Sequence, residues 1–292
     1  MKKTKILIPI YNDWQSVYKL LENIDRDLNR WDADIAVIII NDASTEKKTE
    51  NDFIFKNLSS IKIINMKKNK GHARCIAAGL KYINEKEDFD FVIPMDGDGE
   101  DRPEELGPLL CKAYENPNIA ITGNRVKRSE GFFFKFCYLF HKCLTYIFTG
   151  QSIKFGNYSC LPKNIVVKMV NEPATWSSFS GALSKVSNVR FSIPSIRGSR
   201  YFGPSQMNFI DLLKHSLSII AVFKKVLLIR SITFLVVYLF FIIEYLSMIM
   251  LIPFLFVLVM MILALQLSRR ENISELNNSL ENINSIENMK IN

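Results

Sequence analysis

Four carboxylates crowd into six residues in the run Met95-Asp96-Gly97-Asp98-Gly99-Glu100-Asp101, which directly follows the apolar stretch Phe91 to Pro94. At a strand end their mutual repulsion raises some of their pKa values unless a cation neutralises them. Hard oxygen donors at such short spacing suit Mg2+ or Mn2+, ions that complete their coordination shell with substrate phosphate. Gly97 and Gly99 carry no side-chain bulk and are expected to let a diphosphate approach the backbone and the metal. An acidic turn before a helix opened by Pro103, with Glu104 and Glu105 in its first turn, is the plainer reading. It accounts well for 103 to 105 and poorly for 96 to 100.

The elements that must position this cluster alternate along the first half of the chain. Ile6 to Ile10 is a short β-rich run, and Asp34 to Ile40 is continuously apolar, as a strand covered on both faces would be. Ile61 to Asn65 and Phe89 to Met95 are separated by a helical pattern through Ala73, Ile76, Ala77, Leu80 and Ile83. The alternation predicts an α/β fold with a mainly parallel sheet and helices on both faces, in which ligands bind outside the carboxyl ends of strands. Three polar clusters fall at such ends: Tyr11 to Asp13, Asn41 to Ser44, and Asp96 to Asp101. Beyond Thr122 the pattern weakens.

Apolar residues make up 48% of the 292, but they concentrate between Val226 and Leu267, which points to a membrane. Those roughly forty residues are enough for two spans of about 20 residues each. A turn near Glu244 to Ser247 makes them an antiparallel hairpin, with Pro253 marking the alternative break. Lys224, Lys225 and Arg230 precede the hairpin and Arg269 and Arg270 follow it, so the positive-inside rule places both ends in the cytoplasm. Phe132 to Phe148, interrupted by Lys135, His141 and Lys142, is expected to lie in the membrane interface, with a core helix carrying snorkelling lysines as the alternative, and Met207 to Phe223 is a second candidate interfacial helix. In the tail, Ile273, Leu276, Leu280, Ile283 and Ile286 are spaced like one helix face, which fits a short partner helix or a frayed segment. The net charge of +8 is not gathered into a stripe with interleaved aromatics, which argues against nucleic acid and for a membrane surface or phosphate-bearing substrate. Five cysteines without paired spacing indicate neither a disulfide framework nor a zinc site. The strand-like amino terminus, broken at Pro9, is too short for a signal peptide, so the catalytic part is expected in the cytoplasm. His72, His141 and His215 stand far apart in the sequence and are expected to fill structural roles.

The acidic run, together with Ile8-Pro9-Ile10-Tyr11-Asn12-Asp13 and Ile40-Asn41-Asp42-Ala43-Ser44-Thr45, resembles the family 2 glycosyltransferases of the GT-A fold. Asn69-Lys70-Gly71, with Ala73, Ala77 and Gly79, is similar to the segment between that family's second and third motifs. Gly123-Asn124-Arg125, Gly156-Asn157-Tyr158 and the run Arg200 to Met207 resemble the polyprenyl-phosphate branch that includes dolichol-phosphate mannose synthases, in which a membrane hairpin often follows. The resemblance covers about residues 4 to 268. It implies a GT-A catalytic domain over 1–204, an interfacial helix over 205–225, a two-span hairpin over 226–268 and a polar cytoplasmic tail over 269–292. Pro9, Tyr11, Asp13 and Asp42 would line the nucleotide pocket beside Asp96 and Gly97, and Asp96, Asp98 and Glu100 would bind the metal. Asp98 and Arg125 would be catalytic, and Arg125, Arg128, Arg200, Ser205 and Gln206 would meet the diphosphate or the acceptor. Guanidinium suits that task because its fixed fork binds phosphate oxygens bidentately. Gln206 stands where the pattern usually has lysine.

The implied reaction is inverting transfer of one sugar from a UDP- or GDP-sugar to a polyprenyl phosphate at the cytoplasmic membrane face. A lipid phosphate is already ionised and needs no strong base. The processive Gln-x-x-Arg-Trp signature is absent from the sequence. Transfer to a hydroxyl of a lipid-linked saccharide and a non-enzymatic nucleotide-binding membrane scaffold are the alternatives. A homo-oligomer is compatible with the sequence.

Overall fold

The computed structural model describes residues 1–292 apart from 30, 32, 49–52, 128–131, 204–208, 246, 290 and 292, and leaves the side chains of 127, 132–138, 209–212 and 245 undescribed as well. Arg128, Ser205 and Gln206 therefore lie outside the described residues.

The four anticipated strands form as β1 (Lys3–Ile10), β2 (Asp34–Asn41), β3 (Ser60–Met66) and β4 (Phe91–Pro94). Their intervening helices are α1 (Trp14–Leu28) and α2 (His72–Lys86). These four strands run parallel, in the order β4-β1-β2-β3. After β1 the chain winds outward through β2 and β3, then returns to place β4 on the other side of β1. That reversal opens a crevice at the carboxyl ends of β1 and β4, where ligands bind in open α/β sheets.

Burial on both faces explains the continuous apolar runs. Ile6 and Ile8 pack into a core with Val17, Leu20, Leu21 and Ile24 of α1. Leu7 faces the opposite core with Ile76, Leu80 and Ile83 of α2. A Cβ at Gly79 would lie 2.3 Å from Leu7 Cδ1, so α2 rests on β1 at a distance only a bare backbone allows. Asp25, buried on α1, accepts from the backbone N–H groups of Lys56, Asn57 and Leu58 and so fixes the chain entering β3.

Past α3 (Leu106–Glu115), the region where the sequence pattern fades contributes β5 (Ala120–Lys127), α4 (Phe132–Thr149), β6 (Phe155–Pro162), α5 (Lys163–Val170), α6 (Phe179–Val186) and β7 (Arg190–Ile196). β6 pairs antiparallel with both β4 and β5, and β7 lies parallel to β5. The sheet is thus mixed but mainly parallel.

Two long apolar helices follow α7 (Phe209–Ala221): α8 (Lys224–Ile242) and α9 (Leu251–Ser268). They are joined through a 3-10 turn at Ile243–Tyr245, and the Tyr238 hydroxyl donates to the Met250 carbonyl at 2.8 Å across the connection. Pro253 lies in the first turn of α9, where no intrahelical donor is required, so it does not break the helix. At about 1.5 Å per residue each helix is roughly 27 Å long. They pack on α4 and α7 around Phe148, Ile220, Leu227, Leu235, Val257 and Met260. Their remaining surface is apolar and open, with Phe240 77% and Phe241 71% exposed. Arg230 of α8 donates to the carbonyls of Tyr146 and Ile147 at 3.1 and 3.0 Å, neutralising the negative end of α4.

The tail departs from the single helix face that the spacing of Ile273 to Ile286 predicts. Asn272 caps the short α10 (Ile273–Asn277), a 3-10 turn spans Ser279–Asn282, and β8 (Ile283–Asn288) pairs antiparallel with β3. The unpaired edge of β3 offers backbone hydrogen bonds that an asparagine-rich, weakly helical segment satisfies better as a strand. Leu276 is fully buried in the α2 core. Residues 269–289 are therefore joined to the sheet, and both ends of the α8–α9 hairpin lie on that sheet's side.

Candidate active site

The apolar β4 ends at Pro94, and the chain turns through Asp96, Gly97, Asp98, Gly99, Glu100 and Asp101 before Pro103 opens a 3-10 turn into α3. Asp101, only 4% exposed, accepts from the backbone N–H of Asp96 at 3.0 Å and closes the loop on itself. Gly97 faces inward: a Cβ there would lie 3.2 Å from methyl carbons of both Ile8 and Ile10. Gly99 has φ +90, and a Cβ would fall 2.5 Å from the Tyr201 ring. Both glycines thus also serve the packing of the loop.

A second segment, 197 to 201, lies across this loop. Gly198 N–H donates to the Glu100 carbonyl and Tyr201 N–H to the Asp98 carbonyl, each at 2.9 Å. Tyr201 is in turn held by Asn23 of α1, whose amide donates to the phenol oxygen at 2.9 Å. Arg200 spans the crevice. It donates to Asp98 Oδ2 at 2.5 Å and to Asp13 Oδ2, after β1, at 3.1 Å. Its Nε is buried without a partner among the described residues. Arg197 pairs with Glu100.

The opposite wall comes from α2 and β6. Asn157 donates to Asp96 Oδ1 at 3.2 Å, and the His72 ring lies 3.3 Å from the same oxygen. Arg125 of β5 fits beside Gly156, where a Cβ would be 3.0 Å from a guanidinium nitrogen. Burial alone would raise the pKa of Asp96, but His72, Arg125 and Asn157 overcome it and hold the carboxyl well below the usual range. Asp98 goes the other way, pushed up to about 6 by burial and by the charge of Asp96 despite Arg200 and Arg197. Asp101 is raised by burial and by Asp96.

Of the residues singled out in the sequence, Asp13, Asp96, Asp98, Glu100, Arg125 and Arg200 converge on this crevice. Tyr11 stands at its rim, 45% exposed, with its ring free for stacking. Pro9 is buried within β1, opposite Ile40. Asp42 is 3% exposed, and its two oxygens accept from the N–H groups of Lys70 and Gly71 at 2.8 and 2.7 Å. It braces the entry into α2 rather than presenting a free carboxylate. His72, Asn157, Arg197 and Tyr201 also reach the site. The only signal for His72 was its place directly after Asn69-Lys70-Gly71; Asn157 and Tyr201 stood in motifs but carried no assigned role.

Among the described residues, no three His, Cys, Asp or Glu side chains are grouped to hold a metal ion unaided. The donor set nonetheless suits a hard divalent ion. Asp96 and Asp98 present carboxylate oxygens at the mouth of the crevice, and such ions take one or two carboxylates and fill the remaining positions with water and phosphate.

The fold is shared with solved glycosyltransferases at low sequence identity. Glucosyl-3-phosphoglycerate synthase from Mycobacterium tuberculosis, solved with Mn2+, UDP-glucose and phosphoglyceric acid, superposes with a TM-score of 0.53 at 11% identity, covering 77% of this chain and 80% of that one. A mannosyltransferase from Pyrobaculum calidifontis, solved with GDP-Man and Mn2+, gives a TM-score of 0.50 at 13% identity over 97% of this chain and 76% of that one. In sequence, undecaprenyl-phosphate 4-deoxy-4-formamido-L-arabinose transferases are similar. Those of Photorhabdus laumondii and Klebsiella pneumoniae are each 26% identical over 73% of this chain and 65% of their own length. The chain thus spans just under two thirds of the length of these curated relatives. The profile of Glycosyl transferase family 2 matches residues 5–166, from β1 through the acidic loop to β6 and the start of α5. With more than half of its length matched and the acidic loop inside the match, the chain belongs to glycosyl transferase family 2.

Proposed function

We propose that this enzyme moves a single sugar from a UDP- or GDP-sugar to a polyprenyl phosphate at the cytoplasmic face of a membrane, with inversion at the sugar carbon. The observation that carries the reading is the adjacency of two unlike environments. The Asp96–Asp98 loop accepts from Asn157 of β6, the strand into which α4 leads, and α4 and α7 pack directly on the open apolar helices α8 and α9. A phosphate acceptor with a lipid chain needs both. The similarity to undecaprenyl-phosphate sugar transferases supports the same acceptor class.

Asp96 and Asp98 would hold Mg2+ or Mn2+, with Glu100 next to them on the side of Arg197. Bound there, the ion supplies positive charge to the departing nucleotide diphosphate. Tyr11 offers a stacking face to the base, and the loop after β1 brings Asp13 to the same crevice. Arg200 has an unpartnered buried Nε–H to give a phosphate oxygen, and Arg125 adds a second cation facing Asp96 and Asp101. The attacking acceptor oxygen, already ionised, displaces the diphosphate from the opposite face of the sugar carbon.

α8 and α9 are long and apolar enough to span a bilayer, and their exposed surfaces would face lipid. The return of α10 and β8 to the sheet supports an even number of crossings, with both ends of the hairpin on the cytoplasmic side. Transfer to a hydroxyl of a lipid-linked saccharide is the second reading, favoured by Gln206 where the branch usually has lysine. Thermal stabilisation of the purified protein by UDP, GDP and other nucleoside diphosphates, with and without Mn2+, tests the donor side. Metal-dependent stabilisation by one of them is expected; stabilisation by none would sink the proposal.

A further inference from the structure

The strand that follows the membrane hairpin does more than cover a sheet edge. Asn65, at the end of β3, donates through Nδ2 to Ser285 Oγ at 3.0 Å and to Glu287 Oε1 at 2.6 Å, both on β8. Asn65 Oδ1 accepts from the amide of Asn41 at 2.9 Å. Asn41 Oδ1 accepts from the Ser44 N–H at 3.0 Å, and Ser44 Oγ accepts from the Asn12 N–H at 2.9 Å. Asn12 then clamps the loop from the other side, its Oδ1 accepting from the N–H groups of Thr45 and Glu46 at 2.8 and 3.1 Å. Asn12 and Ala43 both sit at positive φ, 50 and 56, a conformation that side-chain-bearing residues keep only when their surroundings hold them. Glu287 also reaches the far end of the same loop, its Oε2 lying 3.3 Å from Lys48 Nζ, while Lys48 sits 6.0 Å from the centre of the Trp14 ring.

We propose that Asn65, Ser285 and Glu287 are positioning residues for the donor, through which the segment beyond the hairpin sets the shape of the loops after β1 and β2. The inference rests on the reading that these loops receive the nucleotide. Asn41 is 8% exposed, so its amide depends on Asn65 for a partner, and the orientation of Asn65 depends on which side of it Ser285 and Glu287 accept. An amide free to flip would present its N–H groups to the Ser44 N–H, and the two backbone conformations at positive φ would lose their hold. The hairpin and the donor pocket are thereby connected through α10 and β8.

The test uses the full-length protein in lipid nanodiscs with UDP and GDP as probes in the presence of Mn2+. In the double variant Ser285→Ala/Glu287→Ala, the nucleoside diphosphate Kd and the donor KM should rise about 3- to 10-fold, with kcat and the acceptor KM unchanged. Amide hydrogen exchange at 44 to 46 should quicken. Glu287→Gln keeps an acceptor for Asn65 and should retain most of the affinity. Asn65→Asp still accepts from Asn41 but cannot donate to β8, so it should match the double variant and serves if that variant fails to fold. Unchanged donor affinity in both, with the wild type binding normally, overturns the inference and leaves the proposed function standing. A wild type that binds neither diphosphate overturns both. A rise in donor and acceptor KM together also overturns it, because that pattern reports general loosening of the fold.

Discussion

Replacing Gly99 by alanine perturbs the acidic loop at one atom. The backbone conformation at φ +90 costs a side-chain-bearing residue about 1–3 kcal/mol. The new Cβ would also lie 2.5 to 2.6 Å from three carbons of the Tyr201 ring, an overlap that typically costs about 1–3 kcal/mol more. The ring is held by Asn23 and its own N–H holds the Asp98 carbonyl, so its displacement drags Arg200 away from Asp98. Gly71 provides the comparison, because its φ is +92 and nothing lies within 4 Å of its would-be Cβ. Gly71→Ala should therefore show the backbone cost alone. The assay is thermal or chemical unfolding of the solubilised protein for both alanine variants, repeated for Gly99→Ala in a Tyr201→Ala background. Without the ring, the Gly99→Ala penalty should fall to its backbone cost alone, about 1–3 kcal/mol. An equal penalty with and without the Tyr201 ring would refute the contact as its cause.

Glu87 sits between Lys5, at 3.2 Å, and Lys62, and these partners hold its pKa down although burial alone would raise it. Glu87→Gln should cost about 1–3 kcal/mol at neutral pH. Since the folded pKa is depressed, that contribution is present above the unfolded value near 4.5 and fades as pH falls through the lower folded value. The gap between variant and wild-type denaturation midpoints should therefore close in acid. Mn2+ affinity, read by titration calorimetry, should decline roughly tenfold per pH unit below about 6, because Asp98 must lose its proton to ligate. Leu276→Ala should destabilise the catalytic domain by about 2–5 kcal/mol in the same unfolding assay, because Leu276 is fully buried against α2; a negligible effect would detach the C-terminal segment from the core.

The parallel core was legible because β1, β2 and β4 are covered on both faces and so carry unbroken apolar runs, while α2 shows apolar residues at helical spacing. β5, β6 and β7 were not, since their residues mix polar and apolar positions: Phe155-Gly156-Asn157-Tyr158-Ser159 has little alternation, and β7 is an exposed edge interrupted by Pro194. β8 was misread for a related reason. Its isoleucines fit helical spacing locally, and only the open edge of β3, a long-range feature, makes it a strand. At the site, charge clusters and arginines in motifs could be found in the sequence, but partnerships could not. That Arg200 bridges Asp13 to Asp98, or that Asp42 spends both oxygens on Lys70 and Gly71, depends on separations of 187, 102 and about 28 residues closing in space. His72 reaches Asp96 because α2 starts at the strand ends, a consequence of topology that an isolated histidine does not announce.

The central claim is tested most directly by incubating nanodisc-embedded enzyme with polyprenyl phosphate, Mn2+ and radiolabelled UDP- or GDP-sugars, comparing wild type with Asp98→Asn. The account predicts an acid-labile lipid product bearing one sugar, made only with metal and lost in the Asp98→Asn protein. Product formed at the wild-type rate by Asp98→Asn, or formed equally with the metal chelated, would contradict it.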